Sequence, residues 1–292
     1  MGAIFSYSSF ASSAAPPSAG LGALPESCVA LVLTYLEPKD ICRLAELNRA
    51  FRDASFADFV WESKLPLNYG ALFRRLFDLS ADGFSKREVY RRLCATSGFD
   101  GGTKSVWLDM ETSRICLQVS AKSLAITGVD DRRYWNCIPT EESRFSSVVY
   151  LQQTWWFEVH GEVDFPFPPG TYSVFFRLQL GRASKNWLGC RVCNTDHVHG
   201  WDIKPVRFQL WTSEGQHSAT QCFLESPGKW VNYHVGDFTV RGQDSGTTRV
   251  RFSTMQIDCT HTKGGLCLDS VLICPCEYKE RHRLDETIMF HE

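Results

Sequence analysis

Nowhere does this 292-residue chain hold the ~18 to 20 consecutive apolar residues that a membrane-spanning helix requires. Charge is missing from its first 25 residues, so the basic segment that opens a secretory signal is absent as well and the stretch reads as a flexible tail. No asparagine has Ser or Thr two places on, which leaves no acceptor for N-glycosylation. An excess of basic charge is lacking too: 31 Lys and Arg stand against 33 Asp and Glu, for a net charge of −2. A general nucleic-acid binder would show a basic domain or stripe, so nucleic acid is not an expected partner. Catalytic signatures are equally scarce. There is no G-x-S-x-G elbow, no P-loop and no G-x-G-x-x-G, and the eight histidines fall in no recognised triad order. Glu141 and Glu142 are adjacent, so in a strand they face opposite ways and do not flank one glycosidic bond. No enzyme and no cofactor are expected.

What the chain does have is apolar mass, with 43% hydrophobic and 13% aromatic residues, enough for a sizeable core and, at this length, two domains. Its twelve cysteines are spread too thinly for the disulfide framework of a small secreted protein. They read as buried free thiols in a reducing compartment, the cytoplasm or nucleus. The opening "MGAIFS" fits the pattern for acylation of Gly2, although no polybasic patch or nearby Cys supplies the second anchor that stable membrane attachment needs.

Periodicity divides the chain near residue 100. Before it, Val29, Val32, Leu33 and Leu36 recur at helical spacing, and Glu37–Pro38 closes that helix. Asp40 is placed to cap a second helix carrying Ile41, Leu44, Leu47 and Phe51 on one side. Phe56, Phe59, Val60 and Trp61 suggest a third piece ending at Leu65–Pro66. Ser85 and Glu88 have capping-box spacing and open a helix through about Leu93. Beyond "CATSGFDGG" the period becomes two. Trp155, Phe157 and Val159 share one side of a strand, with Trp156, Glu158 and His160 on the other. Tyr172, Val174, Phe176, Leu178 and Leu180 share a face, as do Val206, Phe208 and Leu210, and Val250 and Phe252. Many short strands between Gly, Pro, Asp and Ser turns predict an all-β sandwich or barrel, so the whole is an α+β multidomain chain.

Leu24–Pro25, the Val32–Leu33–Leu36 stripe, Pro38–Asp40–Ile41, Leu44, Phe51–Arg52 and Val60–Trp61 fall in an order that resembles an F-box. From "GTKSVWLD" through "SAKSLAITGVDDRRYW", "TWWFEVHGEV" and "GTYSVFFRLQLG" to "CTHTKGGLCLDSVLI", the second part resembles the plant phloem-protein-two, or Nictaba-like, lectins. The combination is similar to the plant F-box/phloem-lectin proteins. It implies a tail (1–22), an F-box (23–67), a helical linker (68–102), a jelly-roll-like lectin sandwich (103–280) and a second tail (281–292). It further implies a non-catalytic substrate receptor of a Skp–cullin–F-box ubiquitin ligase, with glycoprotein or protein targets. The alternative is a free cytosolic or nuclear lectin that binds N-acetylglucosamine and has no ligase role.

On this resemblance Leu24, Pro25, Val32, Leu33, Leu36, Ile41 and Leu44 face the Skp-type adaptor, since so short a bundle leaves apolar side chains over. Asp131, Arg133, Tyr134, Trp135 and Glu142 are the residues for N-acetylglucosamine-containing glycans: rings to pack on a sugar's C–H face, carboxylates and Arg for its hydroxyls. Trp135 matches the last Trp of the family's Trp-Gly-x-Asp-x-Arg-Tyr-Trp-like stretch. Gly128 stands where its first Trp would fall, and Cys137 replaces a following aromatic. Trp135 could instead plug the sheet, with Asp131 and Arg132 or Arg133 as a surface ion pair. Cys190, Cys193, His197 and His199 form C-x2-C-x3-H-x-H, too tight for a zinc finger, so no metal is expected and core thiols with loop histidines are the plainer reading. The basic run Lys279–Arg283 reads as a solvated tail.

Overall fold

A computed structural model describes residues 24–185, 191–242, 246–284 and 290–291. The chain divides into two compact units at Ser63–Lys64. Among the described residues no helix is long and apolar enough to cross a membrane.

The first unit is a knot of four short helices, α1 (Glu26–Leu33), α2 (Pro38–Ala45), α3 (Arg49–Ala54) and α4 (Asp58–Glu62). Pro38 occupies the first helical position of α2, where its missing N–H costs nothing, so Glu37 takes the cap position and Asp40 falls inside the first turn instead of capping. The helix expected to run from Ile41 to Phe51 is two. Asn48 breaks it, its side-chain oxygen accepting from the Phe51 N–H at 3.0 Å to start α3 afresh. Val29, Leu33, Ile41, Phe51, Val60 and Trp61 form the core, and the Trp61 indole donates to the Ser55 carbonyl at 2.6 Å, tying α4 to the end of α3.

The second unit opens with α5 (Tyr69–Phe77) and α6 (Lys86–Cys94). Ser85 caps α6 as its spacing predicts, accepting from the Glu88 N–H, but the Glu88 carboxylate turns to Arg91 and Arg92 instead of back to the cap. Strands follow in the order β1 (Ser97–Phe99), β2 (Lys104–Asp109), β3 (Arg114–Ser120), β4 (Ala125–Ile126), β5 (Trp135–Pro139), β6 (Ser147–Thr154), β7 (Phe157–Phe165) and β8 (Gly170–Leu180). The remainder are β9 (Arg182–Lys185), β10 (Arg191–Asn194), β11 (Val206–Thr212), β12 (His217–Cys222), β13 (Trp230–Val240), β14 (Thr248–Gln256), β15 (Lys263–Pro275) and β16 (Phe290–His291), with α7 (Cys276–Arg281) after β15. The β region thus begins within the stretch expected to be a helical linker. Asp100, Gly101 and Gly102 all take positive φ, which closes a tight β1–β2 hairpin that few side chains tolerate.

β15 is the hub of the first sheet. One of its edges is shared by β6 and β3 in succession, while the other pairs with β8, which in turn pairs with β13. The second sheet runs β16-β12-β11-β14-β7-β4, and β9–β10 is a separate hairpin. The two sheets face one another through rings: Phe176 of β8 lies 6.0 Å from Phe208 of β11 and 5.9 Å from Phe252 of β14, and Phe208 stacks on Tyr233 of β13 at 5.8 Å. Phe176, Phe208 and Phe252 are residues the two-residue period put on shared faces, so the sandwich expectation holds.

The region after residue 280 departs from the expected solvated tail. Arg281 reaches Asp109 at 2.6 Å and Glu111 at 2.8 Å, and residues 290–291 pair with β12. Tyr278 and Leu284 pack on Cys116, Phe175 and Cys274, which explains why Phe175 is buried despite pointing away from the inter-sheet core. One further buried cation matters for shape. Lys263 is fully buried at the start of β15 and donates to the carbonyls of Trp155, Gln256 and Asp258 at 2.8–3.0 Å, pinning the β6–β7 and β14–β15 turns together.

Candidate functional site

In the helical unit the structure separates the residues expected to face an adaptor. Leu33 and Ile41 are completely buried, so they hold the unit together and are not left over for a partner. Leu24, Pro25 and Val32 are exposed, and Leu36 and Leu44 are half-buried. Exposed beside them are apolar residues that pattern reading missed, Leu31, Tyr35, Leu47 and Phe59 among them, with Tyr35 at 84% and Leu47 at 70% exposure. The reason is visible in α1 itself. Five of its eight positions (Val29, Ala30, Leu31, Val32 and Leu33) are apolar without a break, so periodicity cannot decide which face turns in.

The stretch from Ile126 to Cys137 resolves into a turn and a plug. Gly128 takes φ +76°, and the chain folds back so that the Asp131 carboxylate accepts from the Arg133 backbone N–H and grips the Arg133 guanidinium at 2.6–3.0 Å. Hydrogen bonding to Arg133 holds the Asp131 carboxyl below the usual aspartate range. Tyr134 is exposed with the Arg133 guanidinium 5.6 Å from its ring centre. Trp135, by contrast, is 3% exposed. Its indole N–H donates to the Thr127 carbonyl at 3.1 Å, and its ring sits 6.4 Å from Phe157. It is therefore a core aromatic that fastens the turn to β7, and no sugar ring has access to its face.

Glu142 is not part of this patch. The five-residue strand β5 lies between, roughly 17 Å of extended chain. Its carboxylate accepts from the Trp230 indole at 2.8 Å and its carbonyl from Arg177 at 3.1 Å. Arg177 also lies 4.4 Å over the Trp230 ring and donates at 2.7 Å to Asp269, a fully buried carboxylate set out by the bulge in β15 between Leu268 and Ser270. Ser270 donates to the same Asp269 oxygen and receives from Gln118. Glu142 thus caps a polar network on the outer side of the first sheet.

What adjoins the 127–134 turn instead is Glu158 of β7. Its carboxylate takes the Trp156 indole N–H at 2.8 Å, lies 2.9 Å from His160 and reaches the Thr127 hydroxyl at 3.4 Å. Hydrogen bonds from Trp156 and then His160 hold it below the ordinary glutamate range. Trp155, expected to share a side of the strand with Phe157 and Val159, belongs to the turn before β7, and both Trp155 and Trp156 are exposed, at 53% and 43%. The two-residue period does not extend past the strand. Because the folded-state value is depressed, the Glu158 contribution is complete above the ordinary range and lost only as pH falls through the lowered value. In a pH titration followed by NMR, the Trp156 indole resonance should hold its position through the ordinary glutamate range and shift only beneath it.

Gly2 and Cys190 lie outside the described residues. The thiol of Cys193 sits on β10, 3.8 Å from the Leu180 carbonyl, while His197 and His199 are exposed in the segment that follows, in line with the reading of a strand thiol beside loop histidines. Among the described residues no three His, Cys, Asp or Glu side chains converge as metal ligands. The described cysteines are free, and burial pushes Cys222 and Cys267 up to about 12 and raises Cys116 and Cys274 as well. Since the thiolate is the reacting species, alkylation of the native chain at neutral pH, read by peptide mapping, should mark the exposed Cys28, Cys42, Cys137 and Cys259 and spare those four.

Against known proteins, the Phloem protein 2 profile matches residues 114–275 and the F-box-like profile residues 21–65. The chain is 60% identical over 262 residues to the F-box protein PP2-A12 of Arabidopsis thaliana, covering 90% of each chain. It is 56% identical to the F-box protein PP2-A11 of the same plant, again over 90% of each, and 50% identical to PP2-A15 over 275 residues, covering 90% of this chain and 91% of that one.

Proposed function

We propose that this chain, which belongs to the phloem protein 2 family and carries an F-box-like module, is the target-recognition subunit of a Skp–cullin–F-box ubiquitin ligase acting in the cytoplasm or nucleus. F-box proteins are in general adaptor-type subunits, and this one performs no chemistry of its own. Its helical unit docks on a Skp-type adaptor, while its β unit holds a glycoprotein or protein target. Ubiquitination follows from proximity, because tethering raises the effective concentration of target lysines near the loaded enzyme.

The observation that carries the docking half is the outward display of Leu31, Val32, Tyr35, Leu47 and Phe59 on a unit whose core is already complete without them. Leaving that much apolar side chain in water is unfavourable unless a partner covers it. Leu24, Pro25, Leu36 and Leu44 are exposed or half-buried and join this surface; Leu33 and Ile41 support it from beneath. Val32→Asp and Leu47→Asp, made singly in the full chain and co-expressed with a plant Skp-type adaptor, should each lose co-purification while the thermal unfolding curve stays in place. Co-purification undiminished in both variants would remove the docking assignment. A wild-type chain that never captures the adaptor would favour the free-lectin alternative.

A further inference from the structure

Of the ten large apolar side chains exposed among the described residues of the second unit, six are gathered at one end of it: Val129, Tyr134, Trp155, Trp156, Ile203 and Ile257. All six stand outside the strands, on four separate turns, so alternation along a strand does not place them. Backbone contacts bring the turns together. The Lys263 ammonium binds the Trp155 carbonyl and the carbonyls on either side of Ile257, at 2.8–3.0 Å. Gln256 donates to the Gly200 and Lys204 carbonyls, which sets the turn of Ile203 alongside. On the other flank the Thr127 N–H donates to the Glu158 carbonyl at 3.1 Å, fastening the turn of Val129 and Tyr134 beside Trp156, and the Tyr134 ring lies against Gly128.

We infer that this end of the β unit is a membrane-contacting surface, whose turns enter the headgroup region of an electrically neutral phospholipid bilayer. The inference goes beyond the ligase reading and stands apart from it. Apolar side chains grouped in this way are unfavourable in water until something covers them. Charge narrows what that is. Residues 130–133 are two aspartates followed by two arginines, Asp131 grips Arg133 at 2.6 Å, Glu158 lies 2.9 Å from His160 and Asp258 lies 4.0 Å from Lys204. Acid stands next to base around the apolar centre, so neither sign predominates to attract acidic headgroups or a charged protein face. Trp and Tyr join an apolar body to a polar tip and settle where hydrocarbon meets water, while Val129, Ile203 and Ile257 carry no polar side-chain atom that insertion would leave unsatisfied. Because Lys263 already pins two of the turns, covering them costs little further ordering. The acylation pattern at Gly2 points to the same surface. A single acyl chain gives only marginal, reversible membrane binding and needs a second contact, which these turns supply.

Sedimentation of the full chain, left unacylated, with vesicles of phosphatidylcholine tests this, beside vesicles that also contain phosphatidylserine. The chain should pellet with phosphatidylcholine alone, and neither phosphatidylserine nor added salt should change its affinity more than about twofold. Trp155→Ser and Ile257→Ser combined should weaken binding about tenfold with the melting curve in place. Met110→Ser should stay within about twofold, since Met110 is exposed on the β2–β3 turn, by the end of β15 opposite Lys263. Phosphatidylcholine brominated on its acyl chains should quench tryptophan emission of the unaltered chain, a readout that does not depend on how any variant folds. A chain that stays in solution with both kinds of vesicle, or pellets without quenching, overturns the membrane assignment and leaves this end of the β unit to a protein target. Binding that requires phosphatidylserine and vanishes in salt, or that survives the double variant, puts the contact elsewhere and overturns it too.

Discussion

Leu33→Asp should unfold the helical unit and abolish adaptor capture for that reason alone. Leu33 is fully buried in a unit whose described part, 24–63, has some 40 residues, for which ~0.1 kcal/mol per residue gives only about 4 kcal/mol of stability. An unpaired carboxylate forced into that core costs more than this. Limited proteolysis should cut the variant between residues 24 and 63 while the β unit stays intact, and circular dichroism should show a loss of helix. Val32→Asp, one residue earlier and 42% exposed, should lose the adaptor with the unit still folded. Adjacent positions on α1 thus separate folding from docking. A protease-resistant Leu33→Asp unit would mean that the core is not where the structure puts it.

Arg177→Met should destabilise the β unit by about 3–5 kcal/mol, since it strands the buried Asp269 carboxylate without its partner. For a unit of this size that is a fall in Tm of about 10 °C. The same change removes the guanidinium lying over Trp230 and the hydrogen bond to the Glu142 carbonyl, so the turn carrying Glu142 should loosen as well. Adding Asp269→Leu should restore much of the loss, because what destabilises is the unpaired charge and not the absence of the pair. A single variant that melts with the wild type would show that the Arg177–Asp269 pair does not hold the β unit together.

Much of the fold was legible because its signals are local. Ser85 and Glu88 gave the start of α6, and the alternation from Tyr172 to Leu180 gave the buried face of β8. The break at Asn48 and the Pro38 start of α2 were also written in the chain, as a capping residue and a first-turn proline, but the apolar stripe spanning them hid both. The site was less legible, and the cause is physical. Whether Trp135 faces water depends on Thr127 and Phe157, and whether Glu142 meets Tyr134 depends on the length of β5. Neighbours in sequence are separated, and the partners that matter, Glu158 with Thr127 or Arg177 with Asp269, come from strands far apart along the chain. Trp155 was grouped with Phe157 and Val159 because a period of two was carried from the strand into its preceding turn.

The most direct measurement is size-exclusion chromatography of the full chain co-expressed with a plant Skp-type adaptor, the composition of each peak read by mass. The account predicts a stable one-to-one complex that disappears with Val32→Asp while the variant itself elutes as a folded chain. Separate elution of the wild-type chain and the adaptor would contradict the ligase assignment.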